Sequence, residues 1–170
     1  MSKVWFVTGS SRGLGRALVE VALEAGDRVA ATARNPDRLQ DLLDKYGDGV
    51  LLLRLDVTDY DAAARAVAQA RDTFGRIDIV VNNAGYSDLA SFEDTTIDSF
   101  RTQFDTSFYG VVNVSKAVVP VLRERGSGHI FQVYSLSVRV SAPGLTAYQA
   151  AKWPSLGSPA VSLRRSPRSG

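Results

Sequence analysis

Apolar residues fall into two alternating patterns along the chain: short continuous runs, and longer stretches in which they recur at helical spacing. Val4-Trp5-Phe6-Val7 reads as a buried strand, and Gly13–Ala25 as a helix with Leu14, Ala17, Leu18, Val21 and Ala22 on one side. Arg28–Ala33 is a second strand. Asn35 and Pro36 then supply a cap and a fixed first-turn residue for a helix through Tyr46. Val50–Leu55 is a third strand, after which Thr58 with Asp61 forms a capping box for a helix to Phe74. Ile77–Val81 is a fourth strand, Thr95 with Asp98 opens a long helix toward Arg125, and Gly128–Val133 is a fifth strand. This order predicts an α/β fold, a doubly wound parallel sheet with helices on both faces and right-handed crossovers.

Size and composition sharpen that expectation. A chain of 170 residues with 45% hydrophobic and 22% charged residues is expected to form one domain, and no apolar run is long enough to cross a bilayer. The absence of cysteine removes disulfides, thiolate nucleophiles and sulfur-ligated metals. Met1-Ser2-Lys3 leads directly into an apolar strand, so a cytoplasmic location is expected. The net charge of +2 arises in the tail: residues 153–170 hold Arg164, Arg165 and Arg168 and no acid, whereas residues 1–152 carry 17 basic against 18 acidic side chains. With no interleaving of aromatic and basic residues, neither a nucleic acid nor a membrane is an expected partner. His129 is isolated, and no metal site is indicated.

Candidate chemistry begins in the first strand-to-helix loop. Thr8-Gly9-Ser10-Ser11-Arg12-Gly13-Leu14-Gly15 lies where backbone N–H groups and a helix N-terminus can meet a pyrophosphate. Gly9 permits a tight turn, Gly13 a close approach, and Gly15 the packing of the helix on the sheet. The spacing differs from GxGxxG, and no lysine followed by serine or threonine marks an ATPase loop. The alternative is a plain tight connection.

The second strand ends in Ala33-Arg34, where a dinucleotide with a free ribose hydroxyl usually meets an acid. This favours a 2′-phosphate held by the forked donors of Arg34 and Arg12, hence NADP with NAD as the alternative, unless both arginines are solvated surface groups. Asp56, followed by Val57, is placed to accept from an adenine amino group or to form a turn. Asn82-Asn83-Ala84-Gly85 would bring small side chains and amides beside a ribose, or serve as a turn alone.

Tyr148 is the candidate proton-transfer group because Lys152, four residues on, shares its helix face. An unperturbed tyrosine, titrating at about 10, is a poor base at neutral pH, and a neighbouring ammonium favours the phenolate. Ser135, thirteen residues earlier, would orient a substrate oxygen and stabilise developing charge. Tyr86, Tyr134, Leu136 and Tyr109 are candidate contributors to a substrate pocket. A methyltransferase shares a glycine-rich first loop but would not account for Ser135, Tyr148 and Lys152 together.

TGSSRGLG at residues 8–15, Asp56, NNAG at 82–85, Ser135 and YQAAK at 148–152 occur in the order and spacing of the short-chain dehydrogenase/reductase family, which residues 3–153 resemble. The resemblance implies a Rossmann-like sheet and hydride transfer between NADP(H) and a carbonyl or secondary alcohol of a small molecule. It implies that Ser135 orients the substrate, that Tyr148 exchanges the proton, and that Lys152 holds the ribose hydroxyls and biases the tyrosine. The family's asparagine, which supports that lysine through water, falls at Ser107, a shorter side chain with one donor.

A larger departure follows Trp153. Pro154, Pro159 and Pro167 stand among scattered Gly, Ser and Arg with no periodicity, and Pro154 should break the Tyr148 helix. Residues 1–153 are therefore read as a dinucleotide-binding and catalytic domain lacking the family's last strands and lid. Residues 154–170 are read as a disordered non-family tail, from a one-base reading-frame slip after Trp153 or as a natural short isoform or fragment. The expected function is that of an oxidoreductase by descent; the alternative is a catalytically defective or noncatalytic nucleotide-binding fragment whose usual self-association surface is incomplete.

Overall fold

The computed structural model describes residues 2–136, 139 and 143–153. Apolar, β-branched runs form five parallel strands: β1 (Val4–Val7), β2 (Arg28–Ala33), β3 (Val50–Arg54), β4 (Ile79–Asn82) and β5 (His129–Gln132). They lie in the order β3-β2-β1-β4-β5, with Phe6 opposite Ala30 and Val80, and Val80 opposite Ile130. The expected Rossmann-like doubly wound parallel sheet is present.

Alternation along the strands feeds two cores. Val4 and Phe6 point to one face, where they pack with α3 (Tyr60–Phe74) and α5 (Gly110–Arg125) through residues such as Val67, Val114 and Leu122. Val7, Val29 and Ala31 point to the other, against α1 (Gly13–Glu24) and α2 (Gln40–Tyr46) through Val19, Leu23 and Leu42. Parallel strands covered on both faces explain why the runs are continuously apolar rather than alternating.

Several boundaries differ from the sequence reading, each for a local reason. Helix α1 buries Gly15, Val19, Ala22 and Leu23, whereas Leu14 and Val21 are exposed. Apolar residues surround this helix, so periodicity alone could not choose the face. The cap of α3 is Asp59, whose side chain accepts from Ala62 N at 2.9 Å; Thr58 instead donates its hydroxyl to Asp56. Thr96, not Thr95, caps α4 (Ile97–Phe104) by accepting from Ser99 N at 3.1 Å. A 3₁₀ turn, Pro36–Leu39, precedes α2, and Asn35 caps that turn.

The long helix expected toward Arg125 is interrupted by a π-helical turn, Asp105–Tyr109, between α4 and α5. β3 ends at Arg54, β4 covers Ile79–Asn82 rather than 77–81, and β5 is two residues shorter than read. Hydrogen bonds nevertheless continue past the strands, from Leu55 N to Ala33 O and from Val133 N to Asn82 O. Helix α6 (Thr146–Lys152) carries Tyr148 and Lys152, with Trp153 as its cap. The readings made for residues 154–170 lie outside the described residues, and no described helix is long and apolar enough to cross a membrane.

Candidate functional site

The C-terminal ends of β1 and β4 are tied together by side chains rather than by strand pairing alone. Thr8 Oγ1 accepts from the backbone N–H groups of Asn83 and Ala84, both at 3.0 Å. Asn83 Nδ2 returns two bonds, to Thr8 O at 2.9 Å and Gly9 O at 3.1 Å. Ser10 N donates to Thr32 O at 2.9 Å, extending the tie to β2. The glycine-rich loop and the NNAG turn thus form one hydrogen-bonded unit at the carboxyl edge of the sheet, where open α/β sheets bind ligands.

The glycines of this loop meet different constraints. Gly9, at φ +69°, brings its α carbon against the Asn83-Ala84 turn, so that a methyl group there would stand 2.9 Å from Ala84 Cα. Gly15 is boxed in by Asn83 Nδ2 and Gly9 O. Its small size therefore serves loop-on-loop packing more than the helix-on-sheet contact expected from sequence. Gly13, at φ +57°, faces open space.

That space belongs to a cleft of about 450 Å³. It is lined by Gly9, Ser11, Arg12, Gly13, Leu14 and Gly15 of the glycine-rich loop, by Arg34, Asp56 and Val57 from the ends of β2 and β3, and by Asn83, Ala84 and Gly85 of the NNAG turn. The exposed Leu14 lines this cleft, which gives its outward orientation a reason. Thr8 lies beneath the loop, buried, as its anchor.

Sequence reading missed further contributors. Ala33, Leu55 and Thr58 border the cleft from the β2 and β3 ends, and Thr102 and Thr106 border it from α4 and the π-helical turn. The two threonines stand one turn apart, a polar stripe that was available in the sequence but had no partner motif. Asn113 on α5 was also missed: its side chain donates to Val57 O at 3.0 Å and Thr58 O at 3.1 Å, holding the loop that carries Asp56.

Charge is unevenly committed around the cleft. Arg16, next to it in sequence, is bonded to Glu20 at 2.8 Å and to Asp41, and its guanidinium is held well above its usual range, mainly by Asp41. Arg12 and Arg34 are exposed and form no ion pair among the described residues. Asp56 takes the turn role: Oδ1 accepts from Thr58 N at 3.0 Å and Thr58 Oγ1 at 2.8 Å. Its second carboxylate oxygen takes no bond from a described residue.

Behind the cleft stands Lys152. It is 3% exposed, and its Nζ donates to Val133 O at 3.1 Å. Burial pushes its ammonium below the ordinary lysine value. A methyl group on Gly85 would stand 3.1 Å from Lys152 Nζ and 3.6 Å from Ser107 Oγ. Lys152, the NNAG turn and Ser107 are therefore close neighbours. Ser107 is fully buried in the π-helical turn, and its Oγ has no hydrogen-bond partner among the described residues.

Tyr148 and Ser135 are half-buried, near the same end of the sheet but outside the lining of the cleft. Of the four aromatic and aliphatic candidates for a substrate pocket, Tyr86 lines the cleft, while Tyr109, Tyr134 and Leu136 are exposed elsewhere.

Comparison with known proteins gives this arrangement its family. The model of the short chain dehydrogenase family matches residues 3–157. The chain belongs to the short-chain dehydrogenase family. It is 54% identical over 154 residues to oxidoreductase BOA17 of Botryotinia fuckeliana, covering 90% of this chain and 56% of that protein. With oxidoreductase calM of Penicillium decumbens it shares 41% identity over 157 residues, covering 88% of this chain and 51% of the relative. A short-chain dehydrogenase from Streptomyces avermitilis superposes with a TM-score of 0.85 at 40% identity, over 89% of this chain and 56% of that one. LigO from Sphingobium sp. strain SYK-6, in its apo form, superposes at 0.87 with 34% identity, over 92% and 60%. The chain thus spans about half the length of these curated relatives.

Proposed function

We propose that this short-chain dehydrogenase binds NADP(H) in the cleft beside the glycine-rich loop and serves an oxidoreductase that interconverts a carbonyl and a secondary alcohol. The observation that carries the cofactor reading is the pair Arg12 and Arg34. Both line the cleft without an ion-pair partner among the described residues, whereas Arg16 is spent on Glu20 and Asp41. One guanidinium from the glycine-rich loop (Arg12) and one just past β2 (Arg34), with no acid at that strand end, suit a 2′-phosphate better than a free ribose hydroxyl.

The residues fit such a group. Gly13 leaves open space at the N-terminus of α1 for a pyrophosphate, and the cleft offers Ala84 and Gly85 as small walls. Asp56 would accept from the adenine amino group through its second oxygen, with Val57, whose carbonyl accepts from Asn113, beside it. NAD remains the alternative ligand. The dinucleotide would supply or accept the hydride.

The chain's own residues would handle the oxygen and the proton. Ser135 orients the substrate oxygen, and Tyr148 holds the proton that is given to a carbonyl or taken from an alcohol. Lys152, on the same face of α6, biases that phenol and reaches the ribose hydroxyls. Ser107 stands where the family's asparagine would support the lysine, and with one hydroxyl it gives a weaker relay. Residues 1–153 form this unit.

A second reading has its own observation: Ser135 and Tyr148 do not line the cleft that the nucleotide residues form. On that reading the chain binds nucleotide without turnover. NADPH oxidation across a panel of small aldehydes and ketones separates the two. The enzymatic reading predicts turnover abolished by Tyr148→Phe; no turnover with undiminished NADPH binding supports the second.

A further inference from the structure

Tyr86 belongs to none of the motifs that define the site, yet it lines the cleft together with Arg12 and Arg34. Its position is fixed by its neighbours. Gly85 lies so close to Lys152 Nζ that an added methyl group would meet it at 3.1 Å, and Ala84 N, two residues before Tyr86, is bonded to Thr8. On its other side Asp88 N donates to Gln103 Oε1 at 3.3 Å. The backbone that carries Tyr86 is therefore held from both directions.

The side chain is half-buried, and its hydroxyl has no hydrogen-bond partner among the described residues. Arg34 lies within electrostatic reach of it, which joins Tyr86 to the charged end of the cleft. We infer that Tyr86 is a dinucleotide-binding residue whose phenol O–H donates to an oxygen of the bound cofactor. This rests on the dinucleotide reading of the cleft.

Electrostatics support the donor role. Burial pushes the phenol above its ordinary value and Asp88 adds to this; Arg34 pulls the other way, and Asp105 contributes a further push. The hydroxyl therefore keeps its proton at neutral pH and meets a phosphate or ribose oxygen as a donor. A phenolate facing the same oxygens would repel them. The acceptor oxygen lies either on the 2′-phosphate or on the part shared by both cofactors, and the experiment separates these sources.

The test titrates NADPH and NADH into the full 170-residue chain and into Tyr86→Phe and Tyr86→Leu, following the quench of protein fluorescence. Tyr86→Phe should weaken binding by about three- to tenfold, the worth of one net hydrogen bond, and Tyr86→Leu should bind no better. A loss confined to NADPH places the acceptor on the 2′-phosphate; an equal loss for both cofactors places it on the shared part. Wild-type affinity in Tyr86→Phe overturns the inference and leaves the cofactor reading standing, even where Tyr86→Leu is weakened, because the ring alone would then make the contact. A wild-type chain that binds neither cofactor overturns both.

Discussion

Thr8 and Asn83 hold each other reciprocally: Thr8 Oγ1 accepts from Asn83 N at 3.0 Å, and Asn83 Nδ2 donates to Thr8 O at 2.9 Å. The two residues stand at the ends of neighbouring strands, so this pair sets the distance between the glycine-rich loop and the NNAG turn. Thr8→Val keeps the volume but leaves the N–H groups of Asn83 and Ala84 without an acceptor. It should lower stability by about 1–3 kcal/mol and weaken cofactor binding as well. Urea unfolding and a binding titration on one preparation check both effects.

Gly15 and Gly13 separate crowding from backbone strain. Alanine at Gly15 must displace the Asn83 side chain or the Gly9 carbonyl, whereas alanine at Gly13 meets open space and is opposed only by its positive φ. Gly13→Ala should cost about 1–2 kcal/mol and Gly15→Ala more. Comparison of the two chemical-denaturation midpoints reads this order directly.

Asp78, at the opposite end of the sheet, gathers β1, β4 and the end of α5. Its carboxylate accepts from Val4 N at 2.8 Å, from Arg76 Nε at 3.0 Å and from Arg125. Asp78→Ala leaves the buried Val4 N–H without its acceptor, while Arg76 and Arg125, each about a third exposed, keep Ser2 O and Ile77 O, so it should destabilise by about 1–3 kcal/mol. Because this cluster is remote from the cleft, cofactor affinity measured well below the unfolding transition should be unchanged.

Much of the fold was legible because a parallel sheet covered on both faces writes its strands as unbroken apolar runs; β1 and β2 were read to the residue. The π-helical turn at Asp105–Tyr109 was not, since it keeps helical spacing on either side and changes only the hydrogen-bond pattern. Caps were misassigned by one residue where adjacent candidates compete: Thr58 against Asp59, and Thr95 against Thr96. The cleft residues Gly9, Arg12, Arg34, Asp56 and Asn83 were found because motif spacing carries the geometry of a turn. Thr102, Thr106 and Asn113 were not, because their roles depend on which helix face the tertiary packing turns toward the loops.

Lys152 gives a pH-dependent signature. Its folded-state value is lowered by burial, so between that value and the unfolded value near 10.5 the unfolded chain binds more protons. Stability therefore gains from this group as pH rises through the window, and the penalty of its buried charge is fully present below it. Lys152→Met removes that dependence. Relative to wild type, its denaturation midpoint should fall as pH rises through that window toward 10.5. A difference that stays flat would show that Lys152 is not desolvated.

The most direct test of the central claim is the equilibrium affinity of the wild-type chain and Arg34→Ala for NADPH and NADH at fixed, low ionic strength. If Arg34 and Arg12 hold a 2′-phosphate, the wild type binds NADPH at least about tenfold more tightly, as expected of charge-assisted, forked contacts. Arg34→Ala should lose most of that preference while its NADH affinity changes little. Equal affinities for the two cofactors in the wild type, unaltered by Arg34→Ala, would contradict the account.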